Sequence, residues 1–159
     1  MSKQKITPFL WFNNNAEEAM EFYAGIFKHT HFEIHSRWGE NNGIAPAGTV
    51  MSASFNLEGQ QFMALNAGPT YQFTEAISFF IDCDTQEEVD MYWEKLSAGG
   101  SKSRCGWLKD KFGLSWQVIP AALGRLLGSK EPGVSQKVMQ AMMKMDKIII
   151  ADLEAAAKK

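Results

Sequence analysis

Two stretches of the chain share one pattern of apolar and polar positions. Each begins with a short apolar run, continues through a polar link and ends in apolar residues spaced i, i+3, i+4 and i+7, the spacing of an amphipathic helix. They are PFLWFNNNAEEAMEFYAGIF at residues 8–27 and SFFIDCDTQEEVDMYWEKLS at residues 78–97, and Glu17 aligns with Glu87. The repeat predicts a strand followed by a helix in each half of the chain.

The two predicted helices have matching starts and matching apolar stripes. Asn15 and Thr85 stand where N-cap residues are expected, and carboxylates follow in the first turn, where they complement the helix dipole. The stripe residues are Ala19, Phe22, Tyr23 and Ile26 in the first helix and Val89, Tyr92, Trp93 and Leu96 in the second. One face of each helix is therefore expected to be buried.

Each helix is followed by β-rich sequence that contains a hairpin turn. Gly59 and Gly113 mark the two turns, and the second half is shorter between its helix and its hairpin. The missing part corresponds to the turn-rich loop GENNGIAPAG at residues 39–48, which need not form regular structure and is expected to be mobile. We therefore predict an α+β fold with two βαβββ modules, at residues 5–70 and 74–120.

A helical tail is predicted after the second module, at residues 121–159, and completes a single domain of residues 1–159. The run AALGRLL predicts a short helix that ends at Gly128. A further helical pattern begins at Ser135, although the β-branched run IIIADLE is expected to break it. Its apolar positions are Val138, Met142, Met145, Ile149 and Leu153. Packing on the same domain or on a dimer mate explains such a Met-rich stretch more often than a separate partner does.

Composition and charge narrow the functional classes. The 159 residues are 45% hydrophobic and 12% aromatic, as in a globular domain, and the formal net charge of −2 with a pI near 5.9 provides no basic surface for nucleic acid. The two cysteines, Cys83 and Cys105, form neither a CxxC motif nor a disulfide framework. The apolar run near the N-terminus stops after Phe12, too early for a signal peptide or a membrane span. These features predict a cytoplasmic protein.

Three segments carry a resemblance to a known family: FNNNAEEAMEFYAGIF, CGWLKDKFGLSWQVIP and VMQAMMKMDKI. Together they resemble the PhnB-like branch of the glyoxalase, bleomycin-resistance and dioxygenase superfamily, also called vicinal oxygen chelate proteins. The resemblance implies that the two modules form a curved mixed sheet around a ligand cavity, with helices outside, and that two copies of the chain form a homodimer. It leaves open whether modules pair within one chain or are swapped between chains.

The same branch carries the label demethylubiquinone methyltransferase-like, which the residues themselves disfavour. The first predicted strand runs into NNNAEE, whereas a nucleotide-like cofactor such as S-adenosylmethionine is typically bound beside a glycine-rich strand-to-helix turn. We therefore predict no such cofactor.

The resemblance also implies where a metal would be held. Metal-using members of the superfamily bind the ion through four side chains, usually His or Glu, from the first and last strands of the two modules. The last position matches Gln117, the repeat places Met63 opposite it, and the first-strand positions fall at Thr7 or Pro8 and within 76–78. None of these residues is His, Glu, Asp or Cys, so no metal is predicted. Gln117 then serves either an organic ligand or a neighbouring polar group.

Other residues are weaker candidates. Trp107 could stack on a planar ligand, although a Trp at a hairpin is more often part of the core, and Trp11 is a further cavity candidate. Arg37 could neutralise an anionic ligand near the long loop, although a surface role is the default. Asp110 is expected to form a turn and not to act as a base. The strand-face histidines are expected to be solvated: His29, His31 and His35.

The sequence therefore predicts a small-molecule-binding protein without a metal, and it identifies no catalytic residue. The resemblance implies in addition that the protein is a homodimer. One alternative is a metal-dependent lyase or dioxygenase acting on a small thioester, hemithioacetal or aromatic diol. Another is a dimer that sequesters an antibiotic, for which a cationic glycopeptide would need an acidic groove that 16 basic and 18 acidic residues do not supply overall.

Overall fold

The computed structural model describes residues 4–158, and these divide into two compact units on either side of the Phe73–Thr74 bond. The boundary falls between the two predicted modules. Residues 1–3 and 159, which belong to the predicted domain and tail, lie outside the described residues. The α+β class with two βαβββ modules and a helical C-terminal extension is confirmed.

Module one is a four-stranded mixed sheet with one helix. The order across the sheet is β1-β4-β3-β2; β1 and β4 are parallel, whereas the other neighbours are antiparallel. The elements are β1 Phe9–Phe12, α1 Ala16–Ala24, β2 His31–Arg37, β3 Val50–Leu57 and β4 Gln60–Asn66. Parallel pairing of the first and last strands is possible because α1 provides the crossover between the two edges.

Helix α1 packs on β3 and β4 and buries Ala19 and Tyr23 of the predicted stripe. Phe22 is half-buried, and Ile26 is buried but lies beyond the end of the helix. Tyr23 is fully buried and stacks on Phe55 with ring centroids 6.1 Å apart, and Phe55 in turn stacks on Phe62 at 5.1 Å. The prediction that the Asn15 side chain caps α1 is wrong. Asn15 occupies the N-cap position without a side-chain bond, and the Oδ1 atom of the buried Asn66 accepts from the Ala16 amide at 2.9 Å instead.

Module two repeats the arrangement with shorter strands. The order is β5-β8-β7-β6, with β5 parallel to β8. The elements are β5 Ser78–Cys83, α2 Gln86–Ser97, β6 Ser101–Lys102, β7 Trp107–Lys109 and β8 Ser115–Pro120. The predicted α2 stripe is buried, and the Thr85 hydroxyl caps the helix by accepting from the Glu88 amide at 3.3 Å. Burial raises the pKa of the Cys83 thiol to about 12, which keeps this core group neutral.

The loop between β2 and β3 is irregular, as predicted, and is organised around one side chain. The Asn42 amide donates to the carbonyls of Gly39 and Ala45 at 2.6 and 2.8 Å, while its Oδ1 accepts from the amides of Ile44 and Ala45 at 2.7 and 2.9 Å. The Trp38 indole also donates to the Asn66 carbonyl at 2.9 Å. Hydrogen bonds from side chains to the backbone therefore organise this loop, in place of the backbone hydrogen bonds of a β-sheet.

The tail after Pro120 forms three helices: α3 Ala121–Leu127, α4 Val134–Met142 and α5 Ile150–Ala157. The predicted stop at Gly128 is confirmed. The helical pattern is broken, but the break covers residues 143–149, and the run IIIADLE forms the start of α5 from Ile150 onward. Met145 and Ile149 lie in that break, so the prediction that they continue the helical stripe is wrong. A shared core joins the tail to the end of β8, and its buried members are Ile119, Leu123, Val134, Val138, Ile148 and Leu153.

Hydrogen bonds attach the break between α4 and α5 to the rest of module two. The amides of Cys105 and Gly106 donate to the carbonyls of Met145 and Asp146 at 2.8 and 2.7 Å. The Gln86 amide at the start of α2 donates to the Ile148 carbonyl at 3.1 Å and accepts from the Ile150 amide at 2.8 Å. The tail is therefore part of module two. Between residues 4 and 158, no helix is both long and apolar enough to cross a membrane.

The histidines are arranged differently from the prediction. His29 precedes β2 in a left-handed conformation, with φ of 51°, and a register shift between Ile34 and Ser36 interrupts the strand at His35. The prediction that all three histidines share one strand face is therefore wrong, because a β-bulge breaks the alternation on which it depends. His31 and His35 are exposed, which agrees with their predicted solvation.

Candidate functional site

Each sheet has one covered face and one open face. In module one the covered face carries Leu10, Phe12, Phe55, Phe62 and Ala64, all buried. The registers that pair Phe9 with Met63 and Met63 with Ser54 place these three side chains on the other face, together with Trp11. Phe9, at the start of the edge strand β1, is 51% exposed. The open face therefore combines exposed apolar and polar groups, as a ligand-binding or docking surface would.

The open face of module two has two rows of side chains across its strands. One row follows the register pairs that join Ser101 to Lys109, Lys109 to Ser115 and Ser115 to Ser78. The next row joins Trp107 to Gln117 and Gln117 to Phe80, which is 59% exposed. Ile119 continues this face beyond Gln117 and is buried under the tail. The tail thus covers one end of the face and leaves the two rows uncovered by it.

Gln117, in the second row, makes a hydrogen bond to a residue of the first row. Its Nε2 atom donates to the Ser78 hydroxyl at 2.9 Å, so the last and first strands of module two are joined by side chains as well as by backbone. Gln117 is half-buried. The neighbour-bonding role that was one of its two predicted alternatives is therefore present. A carboxamide has two N–H groups and an acceptor oxygen, so this one bond leaves Gln117 with further capacity toward a ligand.

Trp107 borders a pocket of about 380 Å³ that lies entirely within module two. The residues lining it are Glu75, Ser101, Lys102, Ser103, Trp107, Leu108, Lys109 and Ser115. Trp107 is half-buried, whereas the neighbouring Leu108 points to the opposite side and belongs to the core. The core role that is common for a Trp at a hairpin is thus filled by Leu108 and Trp116. Trp107 is left at the wall of a pocket large enough for a small organic molecule.

The other predicted residues occupy different surroundings. Met63 is half-buried on the open face of module one, and the Trp11 indole donates to the Gly68 carbonyl at 2.9 Å while its ring meets Tyr71 edge to face at 4.9 Å. Arg37 donates to the Gly48 carbonyl at 2.8 Å and lies 3.4 Å from the Glu17 carboxylate on α1. Its guanidinium is therefore on the helix side of the sheet, away from Met63 and Trp11.

Asp110 has the structural role that the sequence predicted. It is only 2% exposed, and its Oδ1 accepts from the amides of Phe112 and Leu114 at 2.9 and 3.0 Å. Its Oδ2 accepts from the Trp116 indole at 2.8 Å. The carboxylate therefore closes the β7–β8 turn and fixes the core ring of β8, whose next residue is Gln117. Asp110 positions the site and does not line it.

The donor set does not fit the metal that the superfamily implies. Ser78 and Gln117 supply a hydroxyl and an amide in module two, and Met63 with Thr7 or Pro8 supply a thioether and a weak oxygen donor or none in module one. Divalent transition metals are held by imidazole, carboxylate or thiolate groups that also offset the charge of the ion. Among residues 4–158 no three His, Cys, Asp or Glu side chains are grouped so as to hold an ion.

Two contributors to the pocket escaped the sequence analysis. Alternation along LSWQVIP does place Ser115 on the same face as Gln117, which is the available signal for it. The ion pair between Lys109 and Glu75 has no such signal, because Glu75 lies in the segment before β5 and Lys109 lies on β7. Only the folded sheet brings these two residues together.

Comparison with known proteins agrees with the geometry. Two βαβββ modules, each with an open sheet face, define a protein of the glyoxalase, bleomycin-resistance and dioxygenase superfamily. Within it, the chain belongs to the PhnB-like family described as 3-demethylubiquinone-9 3-methyltransferase, whose sequence profile matches residues 4–119. The three tail helices, α3, α4 and α5, lie beyond that match.

Two solved structures illustrate the relationship. A PhnB protein from Bacillus cereus is 39% identical, with a TM-score of 0.68 over 74% of this chain and 100% of that one. A protein from Pseudomonas aeruginosa has the same fold at 24% identity, with a TM-score of 0.60 over 74% of this chain and 98% of that one. No curated protein matches the chain.

Proposed function

We propose that this protein binds a small organic molecule on the open face of module two, with no metal ion at the position used by metal-dependent members of the superfamily. The observation that carries the proposal is the hydrogen-bonded pair Gln117–Ser78, whose register partners Trp107 and Ser115 line the 380 Å³ pocket. An indole wall supplies stacking area, and amide and hydroxyl groups supply directional polar contacts.

The donor chemistry favours an organic ligand over the metal-dependent alternative. A lyase or dioxygenase of this superfamily needs charged or imidazole ligands on the ion, whereas Gln117 and Ser78 are neutral and bond to each other. Antibiotic sequestration of the bleomycin kind is also disfavoured, because Glu75 is the one acidic residue of the pocket and lies beside Lys109, so the lining is not the acidic groove that a cationic glycopeptide would need.

The family description does not by itself assign methyl transfer to this chain. The connection from β1 to α1 is Asn13–Asn15, which contains no glycine, and both sheets are mixed four-stranded sheets instead of the doubly wound parallel sheet that places a nucleotide at such a turn. Fold and family name are also weaker guides to activity than the residues of the site. We infer in addition a cytoplasmic homodimer, as the resemblance implies.

We expect Gln117→Ala to weaken the binding of small organic ligands. Hits would first be found by ligand-observed NMR against a library of small planar and polar compounds, and their affinities measured by calorimetry. Loss of a hydrogen bond to a neutral ligand is worth about 1 kcal/mol, so Kd should rise about three- to tenfold. Gln60→Ala, at an exposed hairpin glutamine, is the matched control and should leave Kd unchanged. Hits that bind both variants equally would contradict the proposal.

A further inference from the structure

One buried hydroxyl in the pocket of module two lacks a partner. Ser115 is 1% exposed, and within residues 4–158 its Oγ is the buried side-chain polar atom that makes no hydrogen bond. Buried polar groups are normally bonded, so an unsatisfied one next to an open volume points to a group that binds there. A serine hydroxyl can donate to an acceptor such as a carboxylate or carbonyl oxygen.

A carboxylate already lies in this pocket. The Glu75 side chain forms an ion pair with the Lys109 ammonium, and Lys109 is the direct register partner of Ser115. The hydrogen bond from Lys109 also holds the pKa of the Glu75 carboxyl below its ordinary value. Glu75 is on an exposed segment outside the strands, with its side chain 64% exposed. A surface ion pair of this kind is weak and can be replaced by a better-placed anion.

Once Glu75 is displaced, the charge that remains at the pocket is that of Lys109, which favours an anionic ligand. Lys102 is paired with Glu94 on α2 at 2.8 Å, so its charge is largely directed to the helix side. Displacement of Glu75 would leave the Lys109 ammonium beside the Ser115 hydroxyl, with Trp107 next along β7 on the same face. An ammonium and a hydroxyl suit the two oxygens of one carboxylate, and the indole suits a flat group attached to it.

We infer that the pocket binds an organic carboxylate attached to a planar group, and that this carboxylate displaces Glu75 from Lys109 and accepts a hydrogen bond from Ser115. The inference rests on the proposed function, since it names the ligand class of the same open face. Glu75 acts in the free protein as an internal substitute for the ligand carboxylate.

The test uses benzoate as the probe and benzamide as its neutral counterpart, titrated by calorimetry and by NMR of the Trp indole N–H signals. Benzoate should bind in preference to benzamide. Glu75→Gln frees Lys109 and should tighten benzoate binding about two- to fivefold, in keeping with the weakness of the displaced pair. Lys109→Met should weaken it at least about tenfold. Glu87→Gln, which removes an exposed carboxylate of α2, is the control for net charge and should not change Kd.

Ser115→Ala separates a binding role from a structural one. Removal of an unsatisfied buried hydroxyl should leave thermal stability unchanged or slightly higher, because no bond within the protein is lost. The inference predicts that benzoate nevertheless binds about threefold or more weakly to this variant. An unchanged Kd would show that Ser115 is merely a packing residue and would overturn its assignment.

Three results would overturn the carboxylate inference: equal affinity for benzoate and benzamide, equal Kd for Glu75→Gln and Glu87→Gln, or no benzoate binding to Glu75→Gln up to about 10 mM. If the affinity for benzoate were unchanged in Glu75→Gln and Lys109→Met but lower in Gln117→Ala, this inference would be overturned and the proposed function would stand. A library screen in which Gln117→Ala affects no ligand would overturn the proposed function and the inference with it.

Discussion

Replacement of Asp110 with alanine is expected to lower the free energy of unfolding by about 4 kcal/mol, a large share of the roughly 5–15 kcal/mol typical of a domain. The carboxylate is buried and accepts from the amides of Phe112 and Leu114 and from the Trp116 indole. Alanine leaves these donors without their acceptor, and each buried unsatisfied donor costs about 1–3 kcal/mol. Water entering at the turn recovers part of that cost.

The Asp110→Asn variant tests the hydrogen bond to Trp116 separately from those to the two backbone amides. An amide oxygen can still accept from Phe112 and Leu114, but its NH2 group faces the Trp116 N–H, donor against donor. We expect about half of the alanine effect, measured by urea or guanidinium unfolding followed by Trp fluorescence. Asp82→Ala, at an exposed position of β5, is the control and should change stability by less than about 0.5 kcal/mol. Equal stability of the three variants would show that the turn does not depend on the carboxylate.

Gly106→Ala is expected to cost about 3 kcal/mol, whereas Gly113→Ala should cost about 1 kcal/mol. Both glycines have left-handed backbones, with φ of 82° and 89°. A Cβ at Gly106 would lie 2.8 Å from the Val118 carbonyl oxygen and 2.6 Å from Ile119 Cδ1, whereas a Cβ at Gly113 would meet no atom within 4 Å. The two substitutions share the conformational penalty, so their difference isolates the close approach of the β6–β7 turn to β8.

Chemical unfolding of both variants measures that difference directly. A further readout is available because Gly106 donates to the Asp146 carbonyl in the break between α4 and α5. Gly106→Ala should therefore also increase proteolysis of the tail, and Gly113→Ala should not. If the two variants proved equally stable, the close packing of the tail, the turn and β8 would be contradicted.

Local patterns in the sequence were sufficient to predict the modules. Helical spacing identified α1 and α2, the cap at Thr85 was confirmed, and the turn role of Asp110 followed from its place at the start of DKFG, residues 110–113. The cap of α1 could not be predicted, because its acceptor is Asn66, far along the chain on β4. A hydrogen bond between residues so far apart in the chain exists only once the sheet has formed. Asn15 has the residue type that N-cap positions prefer, so the sequence gives no sign that Asn66 makes the capping bond in its place.

The candidate site was predictable to a similar extent. Alternation along LSWQVIP is a sufficient signal to place Ser115 on the face of Gln117, and the registers agree with it, although it does not identify Ser115 as a pocket residue. The bulge at His35 could not be anticipated from a regular pattern, and the pairing of Lys109 with Glu75 joins a strand to an irregular segment. The ligand-binding roles of Trp11, Met63 and Arg37 stay predictions, and the contacts of Arg37 with Gly48 and Glu17 favour its structural role.

The measurement that tests the central claim most directly is the metal content of chelator-free protein by mass spectrometry, before and after dialysis against Zn(II), Ni(II), Mn(II) and Fe(II). Because Gln117 and Ser78 offer neutral donors, the account predicts far less than one ion per chain in every case, with an increase only in the Gln117→Glu variant. Near-stoichiometric metal in the natural protein would contradict it and would favour the lyase or dioxygenase alternative.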